Sequence, residues 1–309
     1  MRGHYRGWNH QRISLTIVAG VTMSRALRWL RNAAVGLVAL VAVTLLVIYV
    51  VSERVLRRQY DATPGELSTA DAASVTEGFH LAQTSGCTGC HGPKLQGQMF
   101  IDNALLARVA SPNLTLAVTE YSDRQLAHII RRGVRPDGRS VIIMPSGTFS
   151  QFTDHDISSI LAYLRSVPST GGQRRTRQVG PVARLMFVLG KFKPAAVEVR
   201  EADSLASSYP QPGQPHWEGA YLARTACTEC HGLNLGGNAG RTPDLRIAAG
   251  YSLEQFTHFM RTGKALGDRE LTLMSDMARR RFSHFTDEEI AELHGYLVAR
   301  ASKTTAATP

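Results

Sequence analysis

Cys87-Thr88-Gly89-Cys90-His91-Gly92 and Cys227-Thr228-Glu229-Cys230-His231-Gly232 are two copies of one pattern, C-x-x-C-H-G, and they hold all four cysteines of the 309-residue chain. The likeness extends outward from both. Upstream, Glu77-Gly78-Phe79-His80-Leu81-Ala82 answers Glu218-Gly219-Ala220-Tyr221-Leu222-Ala223. Downstream, Pro112-Asn113-Leu114 answers Pro243-Asp244-Leu245, and Tyr121-Ser122 through Gly133 answers Tyr251-Ser252 through Gly263. Met144, Phe149, Phe152, Thr153 and Asp154 then recur with identical spacing as Met277, Phe282, Phe285, Thr286 and Asp287. A repeat that keeps order and spacing over this length means one folding unit used twice. Residues 72–168 make the first unit and 214–301 the second, joined by a semi-rigid linker at 169–213 rich in Pro, Gly, Ser and charge.

Each unit reads as helical. Ser122 with Gln125, and Ser252 with Gln255, form S-x-x-Q capping boxes in which side chains satisfy the free N–H groups of a first helical turn. Leu126, Ile129 and Ile130, matched by Phe256, Phe259 and Met260, continue at i, i+3, i+4 spacing to Gly133 or Gly263. A last helix starts at Thr153 or Thr286 and carries Ile157, Ile160, Leu161 and Leu164, or Ile290, Leu293 and Leu297, on one face. Nothing reads as a regular sheet. In the linker, residues 182–192 are apolar enough for a short helix packed at an interdomain surface or against a bilayer, and the tail after Ala301 reads as polar and loose.

The cysteine spacing carries the chemistry. Two thiols three residues apart on one helical turn can add to the two vinyl groups of a haem, and the adjacent histidine then offers its imidazole to the iron. Cys87 and Cys90 with His91, and Cys227 and Cys230 with His231, therefore predict two covalently bound haem c groups. A Cys₄ zinc site or two disulfides would leave both histidines without a role, and a thioredoxin-like pair needs a βαβ setting. Met144 and Met277, repeated at one position, are the expected second axial ligands, with Met274 the alternative in the second unit. An iron closed on both sides by protein has no vacancy for a substrate. His128 and His258 are equivalent and read as satisfied surface or interface residues, while His155 and His284 read as solvent-facing. Arg139 and Arg279-Arg280-Arg281 either meet haem propionates or a partner, or form a solvated face.

Net charge is +10, but Arg2, Arg6, Arg12, Arg25, Arg28 and Arg31 precede an apolar stretch without an acid among them. That charge is a topological address and gives no reason to expect nucleic acid. Residues 33–51, AAVGLVALVAVTLLVIYVV, contain 19 residues without a charge, and as a helix they match the ~30 Å hydrocarbon core. The arginines place residues 1–32 in the cytoplasm and everything after Ser52 on the exported, periplasmic side of a bacterial inner membrane. A cleaved signal peptide is the competing reading, but no small-x-small site follows Val51. The run 13–21 is too brief to span, and Met23 is an alternative start.

With these residues assembled, the chain resembles the class I cytochrome c family. The pattern G-x-x-L-A before C-x-x-C-H-G, then P-N-L, D-G-R and M-P-x-x-x-F before T-D-x-D-I, looks most like cytochrome subunits of bacterial membrane-bound alcohol, aldehyde or gluconate dehydrogenases. The resemblance implies an all-α fold, two tandem class I cytochrome c domains behind one N-terminal transmembrane helix. It also implies that Gly78 and Phe79 pack near Tyr163, that Gly219 and Tyr221 pack near Tyr296, and that the haem edge beside the cysteines is the electron port. Three departures stand out: no proline follows Met277, the first unit has one more residue before its cysteines, and there are two haem motifs where such subunits commonly have three. The expected function is single-electron transfer between a redox-protein donor, such as a membrane dehydrogenase, and a redox-protein acceptor. A haem enzyme, such as a dihaem peroxidase or a thiosulfate-oxidising cytochrome, is the alternative. A haem-regulated sensor or scaffold is a third reading, which no residue recommends.

Overall fold

A computed structural model of the chain describes residues 24–68, 73–171 and 177–305. Arg2, Arg6, Arg12, the apolar run 13–21 and Met23 lie outside the described residues. The chain divides into two units at Val47 and Ile48. The first is helix: the expected apolar stretch lies within a longer helix, Arg25–Leu56, which is long and apolar enough to cross a membrane. The last turns of that helix belong to the second unit, where Arg184 donates to Ser52 Oγ and Glu53 Oε2, both at 2.9 Å, and lies over the Tyr49 ring.

The second unit contains the repeat. Its first half runs through helices Val75–Thr84, Cys87–His91, Leu114–Glu120, Asp123–Arg132, Ser146–Phe149 and Asp154–Ser166. The second half follows with Trp217–Leu222, Thr228–His231, a 3₁₀ segment Leu245–Gly250, Leu253–Thr262, Thr272–Arg280 and Asp287–Thr305. Both predicted capping boxes are formed, at Ser122 and Ser252, and both helices close on a left-handed glycine, Gly133 and Gly263. The first and last helices of each half cross in contact, and a core collects beneath them. Leu95, Phe149, Phe152, Ile157 and Ile160 fill one; Leu235, Phe282, Phe285, Ile290 and Leu293 fill the other.

Four features depart from the sequence reading. The second half, one residue shorter here, reaches its cysteines through one π turn, Ala223–Cys227, where the first half breaks its helix at Gly86, φ 77°. Strands also form, although none was expected. β1 (Gln98–Asn103), β2 (Ala107–Ser111) and β3 (Arg177–Val179) make an antiparallel sheet in the order β1-β2-β3, and Lys264–Ala265 pairs with Arg269–Glu270. β1 and β2 occupy an insertion between His91 and Pro112 that has no counterpart in the second half, and β3 joins them from the linker. The linker is folded beyond its expected helix: Pro181–Val188 is followed by Ala195–Leu205, whose Ala195, Ala196 and Val199 are buried against the first half. The C-terminal residues expected to be loose continue the last helix to Thr305.

Candidate haem site

Cys87–His91 is one short helix, and Cys227 ends the π turn that leads into the short helix Thr228–His231, so in each half both cysteines and the histidine share about one turn. Tight backbone turns then fix the imidazole. Leu95 donates its N–H to the Gly92 carbonyl, and Leu235 does the same to Gly232, both at 2.8 Å. These two leucines sit at φ 57° and 58° and have no exposed surface. A branched side chain rarely adopts that backbone, so a leucine held there twice marks a turn that its surroundings dictate. The turn brings Pro112 and Pro243 under the histidines. His91 Nδ1 bonds the Pro112 carbonyl at 2.9 Å and His231 Nδ1 bonds the Pro243 carbonyl at 2.8 Å. With Nδ1 acting as the donor to a carbonyl, Nε2 keeps its lone pair, which is how a metal-ligating histidine is held in one tautomer and one orientation. Burial also pushes the His91 pKa down, favouring the neutral ring that a metal requires.

No disulfide joins the four cysteines. Burial pushes Cys87 up to about 11 and Cys227 up to about 12, so neither is a thiolate nucleophile at neutral pH. Among the described residues no group of three His, Cys, Asp or Glu side chains could hold a metal ion, which leaves a Cys₄ zinc site without a geometry. Cys87 and Met144 both pack on the first core, while Cys227, Met274 and Met277 pack on the second. The residues therefore fit a haem in each half. Cys87, Cys90, Cys227 and Cys230 could take the thioether bonds, and His91 and His231 could ligate iron from one side. Met144 is half-buried on the first core, and Met277 and Met274 are both half-buried on one helix in the second half.

Other expected residues fall variously. Phe79 meets Tyr163 edge-on at 5.3 Å, and an added Cβ on Gly219 would stand 2.8 Å from Tyr296 Cβ, as the resemblance implied. Tyr221 instead turns to the other half: its hydroxyl donates to the Asp156 carboxylate and accepts from the Thr153 N–H. His155 is tied to Glu77 at 2.8 Å rather than facing solvent, whereas His258 and His284 are exposed and His128 meets the Asp61 carbonyl at 3.2 Å. Arg281 is buried, unlike Arg279 and Arg280. The roles of Leu95, Leu235 and the proline carbonyls were missed, although their regular place after each histidine was a usable signal.

A family model described as cytochrome c matches residues 75–168 and again 217–300. The fructose dehydrogenase cytochrome subunit of Gluconobacter japonicus is 23% identical over 273 residues, which cover 76% of this chain and 55% of that protein. The alcohol dehydrogenase (quinone) cytochrome c subunits of Gluconacetobacter polyoxogenes and Komagataeibacter europaeus are each 27% identical over 103 residues, covering 30% of this chain and 22% of theirs. The chain thus spans about half the length of the first of these relatives and less of the other two.

Proposed function

The chain belongs to the cytochrome c family, and from that premise we propose that it is a membrane-anchored dihaem electron relay serving a respiratory dehydrogenase. Two haem c groups are attached through Cys87 with Cys90 and Cys227 with Cys230. His91 with Met144, and His231 with Met277, would ligate the two irons. Haem c supplies a one-electron ferric/ferrous couple when bound. The chain's own residues set the terms: the proline carbonyls orient each imidazole, the methionine thioethers favour the ferrous state, and each apolar core excludes water. The helix Arg25–Leu56 anchors the haem domains on the periplasmic side of the inner membrane, with the arginine-rich end inside. The donor is a membrane dehydrogenase, by analogy with the relatives, and the acceptor is a respiratory redox partner.

The recurrence of one ligand cradle carries this reading, histidine Nδ1 on a proline carbonyl with a methionine on the same core, in both halves. A site that closes iron on both sides transfers electrons and does not bind substrate. The test is the oxidised spectrum of the purified membrane protein together with its haem content. Two haems, both low-spin, with a methionine-to-iron band at the red end are expected. Met144→Ala and Met277→Ala should each convert one haem to a high-spin signal, and Met274→Ala should convert none. Unchanged optical and magnetic signatures in both of the first two variants would refute the relay.

A further inference from the structure

The segments that carry the two motifs lie against each other. Thr148, just before the repeated phenylalanine of the first half, shares a 3.0 Å hydrogen bond with Thr228, which lies between Cys227 and Cys230. Arg281 holds the equivalent position in the second half and reaches the opposite way. Its Nε donates to the Thr84 carbonyl at 2.6 Å, just ahead of Cys87. Its guanidinium also packs on Gly86, where an added Cβ would stand 3.3 Å from Nε. Nη1 pairs at 2.9 Å with Glu229, the residue preceding Cys230. One side chain thus touches both haem-attachment segments. It is 8% exposed, and its Nη2 has no protein partner.

A guanidinium keeps its charge when buried. This one acts electrostatically on all four motif cysteines. Glu229 opposes it and is the leading charge beside Cys90 and Cys230, whereas Arg281 leads beside Cys87 and Cys227, one cysteine in each motif; the carboxylate is 35% exposed against 8% for the guanidinium, so water screens it more. Arg279 and Arg280, next to it in sequence, pair at the surface with Glu270 and Asp276 and have no such reach.

We propose that Arg281 couples the two haem-attachment motifs: it clamps them together for electron exchange within the chain and, as a buried cation, raises the reduction potential of both haems. The ferric state carries one more positive charge than the ferrous, so a nearby fixed cation disfavours it. This inference rests on the relay reading.

The test is a redox titration of the full-length protein with both haems attached, comparing the unmodified chain with Arg281→Gln, Arg281→Lys and Glu229→Gln. In Arg281→Gln the ferrous-to-ferric ratio at fixed applied potential should fall about tenfold at each haem, ~59 mV for a one-electron couple. Arg281→Lys keeps the charge and should recover most of that loss, and Glu229→Gln should move both potentials upward. Potentials unchanged in Arg281→Gln overturn the proposal. If that variant does not fold, the double variant Arg281→Gln with Glu229→Gln, which leaves no unpaired carboxylate, is compared with Glu229→Gln alone: lower potentials in the double variant support the coupling role and equal ones overturn it. Haem content and spin state of the unmodified protein test the relay separately. Two low-spin haems with potentials indifferent to Arg281 would sink this inference alone.

Discussion

An added Cβ on Gly78 would stand 1.8 Å from the Ser159 carbonyl oxygen, and one on Gly219 would stand 2.0 Å from that of Glu292. Neither glycine has an unusual φ, so the requirement is close approach of two helix backbones, which no side chain permits. The obstructing atoms are main-chain atoms of the last helix, whose buried face sits on the core. They cannot swing aside as a flexible side chain would. Gly78→Ala should therefore destabilise the first domain by about 3 kcal/mol or more, at or above the upper end of ordinary overpacking. Thermal unfolding followed at the haem absorbance of that domain would measure it. An alanine variant as stable as the parent would mean that the helices can separate freely. Gly89, with open space around its missing Cβ, is the control and should tolerate alanine.

At the scale of elements, the parts that were legible were those written twice. Capping boxes, helix faces and the cysteine helices carry signals that local chemistry fixes, and repetition removed accident as an explanation. What was not legible had one copy only. The insertion that becomes β1 and β2 has no counterpart, and its third strand comes from beyond the last helix of the first half, a pairing no local pattern reveals. A subtler case lies at the methionines. Pro145 follows Met144, caps the next short helix and forbids a continuous one. Ala278 follows Met277, and there the helix Thr272–Arg280 runs on through the methionine. The missing proline was visible in the sequence, but its consequence for the backbone was not drawn. The linker helix Ala195–Leu205 was unseen because it buries small residues, Ala195, Ala196 and Val199, beside the charged Glu198. Burial pushes the Glu198 carboxyl from 4.5 up to about 7. The folded chain then binds this proton more tightly than the unfolded one. Its contribution is fully present below about pH 4.5 and is lost as pH rises through 7. Glu198→Gln should abolish that part of the decline, read as a flatter dependence of unfolding temperature on pH between those limits. Equal slopes in the two proteins would show that the carboxyl does not titrate differently on folding.

For the molecule as a whole, the repeat also organises the contact between its halves. His80 on the first helix of one half bonds Glu289 at 2.8 Å, in the opening turn of the other half's last helix. Tyr221, the residue equivalent to His80, bonds Asp156, the residue equivalent to Glu289. The two clasps are thus reciprocal, with the Thr148 and Arg281 contacts between them. They differ in how they respond to protons. Burial and the Asp156 carboxylate push the Tyr221 phenol far up, so that clasp does not change near neutrality. Glu289 holds the His80 pKa above its ordinary 6.5 by hydrogen bonding and charge, with Glu77 adding to it and burial working against it. A raised histidine stabilises the folded form fully below about 6.5, and the benefit disappears as pH climbs past its folded value. Both side chains are about a quarter exposed, so the gain is of order 1 kcal/mol or less. Between pH 6 and 8 the His80 side of the interface should loosen while the Tyr221 side holds. Hydrogen exchange should then quicken at amides around residues 77–81 and 289–293 and stay constant around 153–157. His80→Gln should remove the pH dependence without changing the Tyr221 side. Uniform acceleration on both sides would mean that the two halves part as a single rigid contact and not one clasp at a time.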